Sequence, residues 1–571
     1  MAAMSTTATG TEVGAAAPAP QLNPRRWTAL LSALTAAFMV LLDISIVNVA
    51  IPSIRNNLNA SDADIQLVVA GYGLAYAVVL ITGGRLGDIF GRKRLFMIGM
   101  GGFISASALC GLAQSALMLD LSRVLQGFMA ALMFPQVLSM IQVMFPPQER
   151  ARAFGMLGAV IGLATIMGPL VGGLIIRSDV TGGSWRWIFL VNVPIGVASL
   201  LVAARVVPES TAPHATRLDV PGVVLASAGL FLLVLPLVEG QSSGWPPWTY
   251  ICLVLSPLVL GLFVVYERGL GPDQFPLVQL SLFRIPAFRV GVMISGLFLA
   301  GIPAFFFTLS LTLQLGLRYT PLQAGLTVIP WSAGTAVASA FSARVAARLD
   351  KATITVGSFI LVLGVLGVIL TFHLSAENVS SLALVPSFII GGIGLGTVIA
   401  PLLNVILSGV PGRDAGSASG VLTTFQQVGG AVGVAVIGVV FFALLSSRAA
   451  PVVSEVTPQL RAELLAAQLP APAADQAIAT FTTCFRDRAA ETDPTRTPPS
   501  CRNVQTSSAS PAVRGAFSHA ANLALARDFT TTLVRTLFIN VALWVLTGLL
   551  ALLLPTARAQ QRAAQGAVAT H

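Results

Sequence analysis

Long apolar runs alternate with short polar segments along almost the whole chain. A helix needs roughly 20 apolar residues to cross a bilayer core. On that measure the runs predict fourteen spans, at 29–51, 65–84, 95–115, 119–144, 153–176, 187–207, 220–239, 249–267, 288–311, 322–341, 353–373, 381–405, 417–444 and 532–555. The pattern predicts an all-α polytopic membrane protein. The first run, Ala29 to Ile51, is too long for the apolar core of a secretory signal, and residues 1–24 contain no Lys or Arg to form its basic flank.

Composition agrees. Of 571 residues, 55% are hydrophobic and only 10% charged, with a mean hydropathy of +0.83; a soluble domain carries about 25% charged residues. The net charge of +10 would suggest nucleic acid in a soluble chain, but here its distribution matters more. One set of short connections carries Arg25, Arg26, Arg85, Arg92, Lys93, Arg94, Arg150 and Arg152 among others, whereas the opposite set carries only Arg55, Arg177, Arg186 and Arg318. By the positive-inside rule the first set is cytoplasmic, and so are both termini. No nucleic-acid partner is expected.

Polarity also divides the chain. The expected units are a cytoplasmic tail (1–27), a six-helix bundle (28–207), two inserted spans (208–287), spans nine to thirteen of a second bundle (288–444), a long extracytoplasmic loop (445–531), the last span (532–556) and a cytoplasmic tail (557–571). A faint duplication supports two halves: the stretches beginning at Gly155 and Gly416 share glycines at Gly168/Gly429 and Gly172/Gly433, as in transporters built from repeats. Cys484 and Cys501 fall in the long outer loop, where an oxidising compartment would let them pair; two free thiols is the other reading.

Three places carry candidate chemistry. "FMVLLDISIVNVAIP" (38–52) sets Asp43 and Asn48 inside an apolar span. An intramembrane acid is costly and is functional by default; burial disfavours its charged form, so it can load and release a proton. The alternative is a purely structural acid. Arg123, Gln126 and Ala130 share one face of span four, making Arg123 the candidate counter-ion, unless it reaches the outer interface and pairs with Asp120. The loop "GGRLGDIFGRKR" contains Gly84, Asp88, Gly91, Arg92, Lys93 and Arg94. Its glycines suit a tight turn, and its basic cluster could simply anchor on anionic lipid. Asp88 does not fit an anchor. A carboxylate there can meet a helix N-terminus or an arginine of the other half, as a conformational latch.

Candidates for a substrate cavity are Asn48, Gln126, Met129, Met133, Gln314, Trp331, Asn404, Gln426 and Gln427, with ordinary packing the competing reading for each. The absence of a charge cluster there favours lipophilic cargo, cationic cargo included. No Cys-x-x-Cys, His-Glu-x-x-His or Walker-type Gly-Lys-Ser/Thr occurs, and no nucleophile–base pair stands out. Neither an enzyme, a metal site nor a cofactor is expected.

The loop at 84–94 resembles the signature between spans two and three of the major facilitator superfamily, with Ile89 where that family often has a basic residue. "LLDISIVNVAIP" and "RVLQGFMAA" resemble first- and fourth-span motifs of its drug/proton antiporters, the latter tied in the family to proton coupling. Gly155, Gly168, Pro169, Gly172 and Gly173 are similar to the fifth-span antiporter motif, with Ala164 at one of its glycine positions. "SWRWIFLVNVPIG" (184–196) and "EGQSSGW" (239–245) resemble hallmarks of the fourteen-span branch, whereas Thr423 and Gln426 replace the usual asparagine and arginine of a second-half motif. The resemblance runs from about 28 to 555. It implies two six-helix bundles with two extra spans between them. It also implies a bacterial plasma-membrane antiporter, driven by the proton gradient without a cofactor, that exports lipophilic drugs or antibiotics. Its partners would be small lipophilic substrates, protons and membrane lipids, with the chain a monomer. An exporter of one endogenous metabolite, lipid or antibiotic, and a non-transporting scaffold that uses the outer loop, are the competing expectations.

Overall fold

The computed structural model describes residues 23–178, 184–212, 217–240, 243–270, 276–375, 378–490, 498–501 and 511–555. The terminal stretches 1–22 and 556–571, expected as tails, lie outside that set. The first six helices are α1 (Arg26–Leu58), α2 (Asp62–Phe90), α3 (Arg92–Gly111), α4 (Ala116–Met144), α5 (Pro147–Ser178) and α6 (Trp187–Val206). The inserted pair is α7 (Val220–Glu239) and α8 (Pro247–Gly269). The second bundle contains α9 (Pro286–Gly316), α10 (Pro321–Leu349), α11 (Ala352–Ser375), α12 (Ser381–Ser408) and α13 (Ala415–Ala466), closed by α15 (Pro511–Leu550); α14 (Ala471–Ala490) lies between the last two. Among the described residues, 13 of these helices are long and apolar enough to cross a membrane. The 32-residue α5 completes the fourteen.

Local sequence explains the helix ends. Ser61 and Asp64 form a capping box on α2, as Thr320 and Gln323 do on α10, satisfying backbone N–H groups that the first turn leaves unpaired. Asp219 caps α7, and prolines open α8, α9 and α10, where the missing N–H costs nothing. Large apolar side chains such as Leu121, Ile251, Val254, Leu258 and Leu382 point outward, the inverse of a soluble protein and the expected face toward lipid.

In the first bundle α4 packs on α2 and α3, and α1 on α5; in the second α12 packs on α10 and α11, and α9 and α15 on α13. The bundles meet where α5 crosses α10 and where α2 crosses α13. The insert sits at the periphery, α7 against α2 and α8 against α7.

The segment 445–531, expected as a loop, is largely helical. At 1.5 Å per residue, the 52 residues of α13 extend about 78 Å against a core of about 30 Å, so its later turns stand clear of the bilayer. There Val452, Val456, Leu460 and Leu464 recur every four positions and, with Val453, pack against Phe481 and Phe485 of α14 and Val513 and Ala520 of α15. The sparse apolar residues fall on one face of each helix, which is why a segment polar on average folds as a three-helix domain. A disulfide joins Cys484 to Cys501. We call this side of the molecule the disulfide end, and the side bearing Arg85 and Arg92 the basic end.

Candidate functional site

At the centre of the first bundle, helices α1, α2, α3, α4 and α6 converge on one carboxylate. Asp43 on α1 and Arg123 on α4 are 0% and 1% exposed and form an ion pair through Arg123 Nη1 and Asp43 Oδ2. Arg123 Nη1 also donates to Gln126 Oε1 (2.7 Å) and its Nε to the Val68 carbonyl (3.0 Å). The other Asp43 oxygen accepts from Gln126 Nε2 (2.9 Å) and Asn192 Nδ2 (3.3 Å). Gln126 Nε2 reaches Ser107 Oγ at 2.8 Å. The Tyr72 ring lies 4.3 Å from the guanidinium carbon, a cation–π contact. A buried ion pair is tolerable only when its remaining donors and acceptors are engaged, and this network engages both Asp43 oxygens and the Nε and Nη1 of Arg123. Asp120 does not pair with Arg123: it is buried on α4, and its Oδ1 accepts no hydrogen bond. Chemically, a proton on Asp43 would cancel its charge and leave Arg123 an uncompensated buried cation.

The second constellation closes the basic end. Asp88 is fully buried; Arg92 Nη2 donates to its Oδ1 at 2.7 Å and to the Gly412 carbonyl at 2.8 Å. The N–H groups of Gly416 and Ser417, in the first turn of α13, donate to Asp88 Oδ1 (3.0 Å) and Oδ2 (2.9 Å). An acid of the first bundle thus sits on a helix N-terminus of the second. Gly84 lies where α2 and α13 meet backbone to backbone; a Cβ there would run into the Gly416 carbonyl oxygen. Gly91 has a φ of 104°, open to glycine but strained for other residues. Lys93 and Arg94, grouped with the latch by sequence, do not reach the second bundle: Lys93 Nζ bonds to the Ala204 carbonyl, and both main-chain N–H groups bond to Glu209 in the linker after α6. Further bridges at this end run from Gln142 to the carbonyls of Leu407 and Val410, and from Ser139 to Ala415.

The fifth-span glycines join the charged centre to the second bundle. A Cβ on Gly168 or Gly172 would strike Ser45 or Ile46 of α1, within one turn of Asp43, and one on Gly155 would crowd the Ser339 carbonyl of α10. Gly173 faces Leu322; the side chain of Pro169 lies outside the described set. Helix α5 is therefore pressed between the charged centre and the second bundle.

A cavity of about 110 Å³ lies between the bundles, lined by Ile44, Tyr76, Phe134, Phe298, Ser295, Thr423, Gln426 and Gln427 among others, none charged. That is smaller than the 300–1,000 Å³ of drug-sized sites, so the cavity in this structure is too small to enclose a drug-sized molecule. Gln426 Nε2 donates to Ser295 Oγ at 2.8 Å.

Gln426 and Gln427 are the sequence candidates that line it. Gln126 belongs to the Asp43 network. Met129 and Met133 lie against Gly102 and Gly99 of α3. Trp331 is buried, stacked 4.9 Å from Phe305. Gln314 bonds to Ser310, Asn48 is exposed and bonds to its own helix, and Asn404 is half-buried on α12. Sequence reasoning missed Tyr72, Ser107 and Asn192 around Asp43, and Tyr76, Phe134 and Ser295 in the cavity. Asn192 carried a signal, as a lone amide in the apolar run after Trp187.

The Major Facilitator Superfamily profile matches residues 33–434. A protein of Streptomyces coelicolor described as a "probable actinorhodin transporter" is 41% identical over 548 residues, 96% of this chain and 94% of that one. An alignment of that extent must include most of 445–531. A cephamycin export protein of Amycolatopsis lactamdurans is 37% identical, covering 72% of this chain and 84% of its own. A tetracenomycin C resistance and export protein of Streptomyces glaucescens is 33% identical, covering 76% and 78%. Among solved structures, the human organic anion transporter MFSD10 superposes with a TM-score of 0.54 at 15% identity, over 73% of this chain and 94% of its own.

Proposed function

The chain belongs to the Major Facilitator Superfamily, and from that premise we propose that it is a proton-coupled antiporter exporting a lipophilic antibiotic-class compound across a bacterial plasma membrane. The basic end faces the cytoplasm with both termini, as its arginines favour, and the disulfide end faces the oxidising side.

The observation that carries this reading is the separation of charge from cavity. Leu41 and Ile44 face the cavity, while Asp43, between them on the same helix, faces Arg123 inside the first bundle. Cargo and proton therefore occupy different places, and coupling runs through the helices rather than by direct competition. A proton reaching Asp43 frees Arg123, which keeps the Val68 carbonyl and the Tyr72 ring but loses its counter-ion. The resulting shift of α1 against α4 is felt at Ser45 and Ile46, where α5 packs, and passes through α5 to the second bundle. Opening the basic end breaks the Asp88 contacts to α13, and the two bundles rock about the cavity.

The cavity also refines the cargo. Aromatic rings, two glutamine amides and hydroxyls, with no carboxylate, suit an uncharged ring system bearing hydroxyl or carbonyl groups better than a cation. A dedicated exporter of one endogenous antibiotic is the second reading, favoured by the near full-length match to a relative named for a single compound.

The test is proton flux in proteoliposomes. With a pH gradient imposed, adding cargo should release protons through the native protein. Asp43→Asn should still bind cargo yet show no coupled flux. Coupling in the variant equal to native would overturn the proposal.

A further inference from the structure

The inserted helices α7 and α8 take no part in the mechanism above, yet both linkers that carry them are bonded into the closed basic end. The linker entering α7 holds the first bundle's loop. Glu209 accepts the N–H groups of Lys93 (3.1 Å) and Arg94 (3.2 Å), the Ser210 carbonyl accepts from Arg92 N (3.0 Å), and Ala212 N donates to the Asp88 carbonyl (2.9 Å). The linker leaving α8 reaches the second bundle. Its Leu277 and Val278 donate to Glu267 Oε1 (3.0 and 3.3 Å), and the Leu277 carbonyl accepts from Ser417 Oγ (3.4 Å). Ser417 is the residue whose N–H caps onto Asp88. Tyr266 OH donates to Asp219 Oδ1 at 2.9 Å, pinning the end of α8 to the start of α7.

Arg85 lies among these groups. It is 2% exposed, its Nε and Nη2 make no hydrogen bond, and it sits in the electrostatic field of Asp88, Asp414, Glu267 and Asp219. Asp219 Oδ2 and Glu267 Oε2 are likewise buried and without a hydrogen-bond partner. A buried guanidinium lacking direct bonds survives only if nearby carboxylates offset its desolvation, and two of the four are supplied by the insert.

We infer that the inserted helix pair is a clasp on the closed basic end, in which Asp219 and Glu267 are positioning residues that hold Arg85 while the two linkers grip opposite bundles. Helices α7 and α8 pack as one hairpin, and α7 rides on α2, with Ser227 Oγ donating to the Val78 carbonyl at 3.4 Å. When α2 leaves α13 the hairpin follows α2. The Leu277–Ser417 bridge must then break, and Arg85 leaves Asp414 on the second bundle. The clasp therefore weights the equilibrium toward the closed basic end. It rests on the rocking-bundle reading only in treating that end as one of two states.

The test needs no cargo, so its outcome is independent of whether export is demonstrated. In the full chain, with Cys110 and Cys252 replaced, spin labels go at Arg205 on α6 and Arg348 on α10, both exposed. Their separation in nanodiscs reports the basic end. Glu267→Gln keeps an acceptor for Leu277 and Val278 but removes the charge, and Asp219→Asn keeps the cap. Each should raise the wide-separation population severalfold, because each weakens the charge compensation of buried Arg85. Adding Arg85→Met to the double variant removes the buried charge those acids offset, so the wide-separation population should fall back toward native rather than rise further. Native-like distances in the double variant, or no fall in that population on adding Arg85→Met, would overturn the clasp. Ser417→Ala removes only the hydroxyl bridge and reads the second linker even if the charge variants do not fold; it should widen the distances, and unchanged distances would count against the clasp.

Discussion

The fourth helix of each bundle occupies the same place in chain order, and the two are built from different chemistry. Helix α4 buries Arg123, Gln126, Gln136 and Gln142. Helix α12 buries Gly391, Gly392, Gly394 and Gly396 instead. The glycines of α12 lie against the backbones of α10 and α11, with Gly392 on the Trp331 carbonyl and Gly394 on the Leu361 N–H. Among the described residues, the ion pairs buried at both partners, Asp43–Arg123 and Asp88–Arg92, belong to the first half. Polar groups in a bilayer are expensive and need a use, whereas small residues let helices touch at little cost. The first bundle thus holds both doubly buried ion pairs, the charge that the proposed mechanism uses, whereas α12 gives the second a closely packed face; the buried acids of the second half, Asp414 and Asp528, belong to no such pair.

The sharpest way to break that comparison is at Asp43. Asp43→Asn leaves Arg123 buried without a counter-charge, a loss of about 3–5 kcal/mol, so coupled transport should fall about 100-fold or more. Combining it with Arg123→Met removes the orphan charge. Thermal stability should recover in the pair while transport does not. Recovery of transport as well would mean that the charge is structural.

Gly392→Ala probes the packed face. Its methyl would collide with the Trp331 carbonyl, and overpacking of this kind costs about 1–3 kcal/mol. The melting temperature should drop, yet protons moved per cargo molecule should stay as in the native protein. A changed ratio would put coupling chemistry in the second half too. Asp88→Asn is next in size. It weakens the bonds to Arg92 and the α13 N-terminus, and transport should slow about tenfold with the Asp43 network untouched. Labels across the basic end should show it open more often.

The spans were legible because apolar runs of this length, repeated along the chain, suit a bilayer and little else, and the loop motif because an acid stood among arginines. Partner choice was not. Arg123 has acids available at Asp43 and Asp120, and one strand of sequence cannot say which is nearer; five converging helices decide it. Met129 and Met133 fit either a cavity or ordinary packing by sequence; glycines on the neighbouring α3 leave gaps for them to fill, which decides for packing. The helical nature of 445–531 was within reach: Val452, Val456, Leu460 and Leu464 keep one face, a period that an average over a polar, alanine-rich segment conceals. The grip of the insert on the latch lay beyond sequence, since it depends on main-chain groups of Leu277 and Ala212 that no side chain announces.

The smallest expected effect concerns the domain that distinguishes the second half, built on its last two helices. Cys484 and Cys501 are 17 residues apart, and closing a loop of that length restrains the unfolded chain by about 3 kcal/mol. Replacing both with serine should make this domain easier to nick with trypsin. Acid should compound the loss. The Arg461 guanidinium holds the Asp475 carboxyl below its ordinary value of 3.8, so the pair's contribution is complete above that pH and fades as pH falls through the lowered value. Transport should nevertheless stay within about twofold of native, the span over which effects at separated sites simply add, because neither cavity nor latch draws a residue from this domain. A tenfold loss on breaking the disulfide, with the bundles still folded, would place part of the working cycle outside the membrane and end the simple division between a charged half and a packed one.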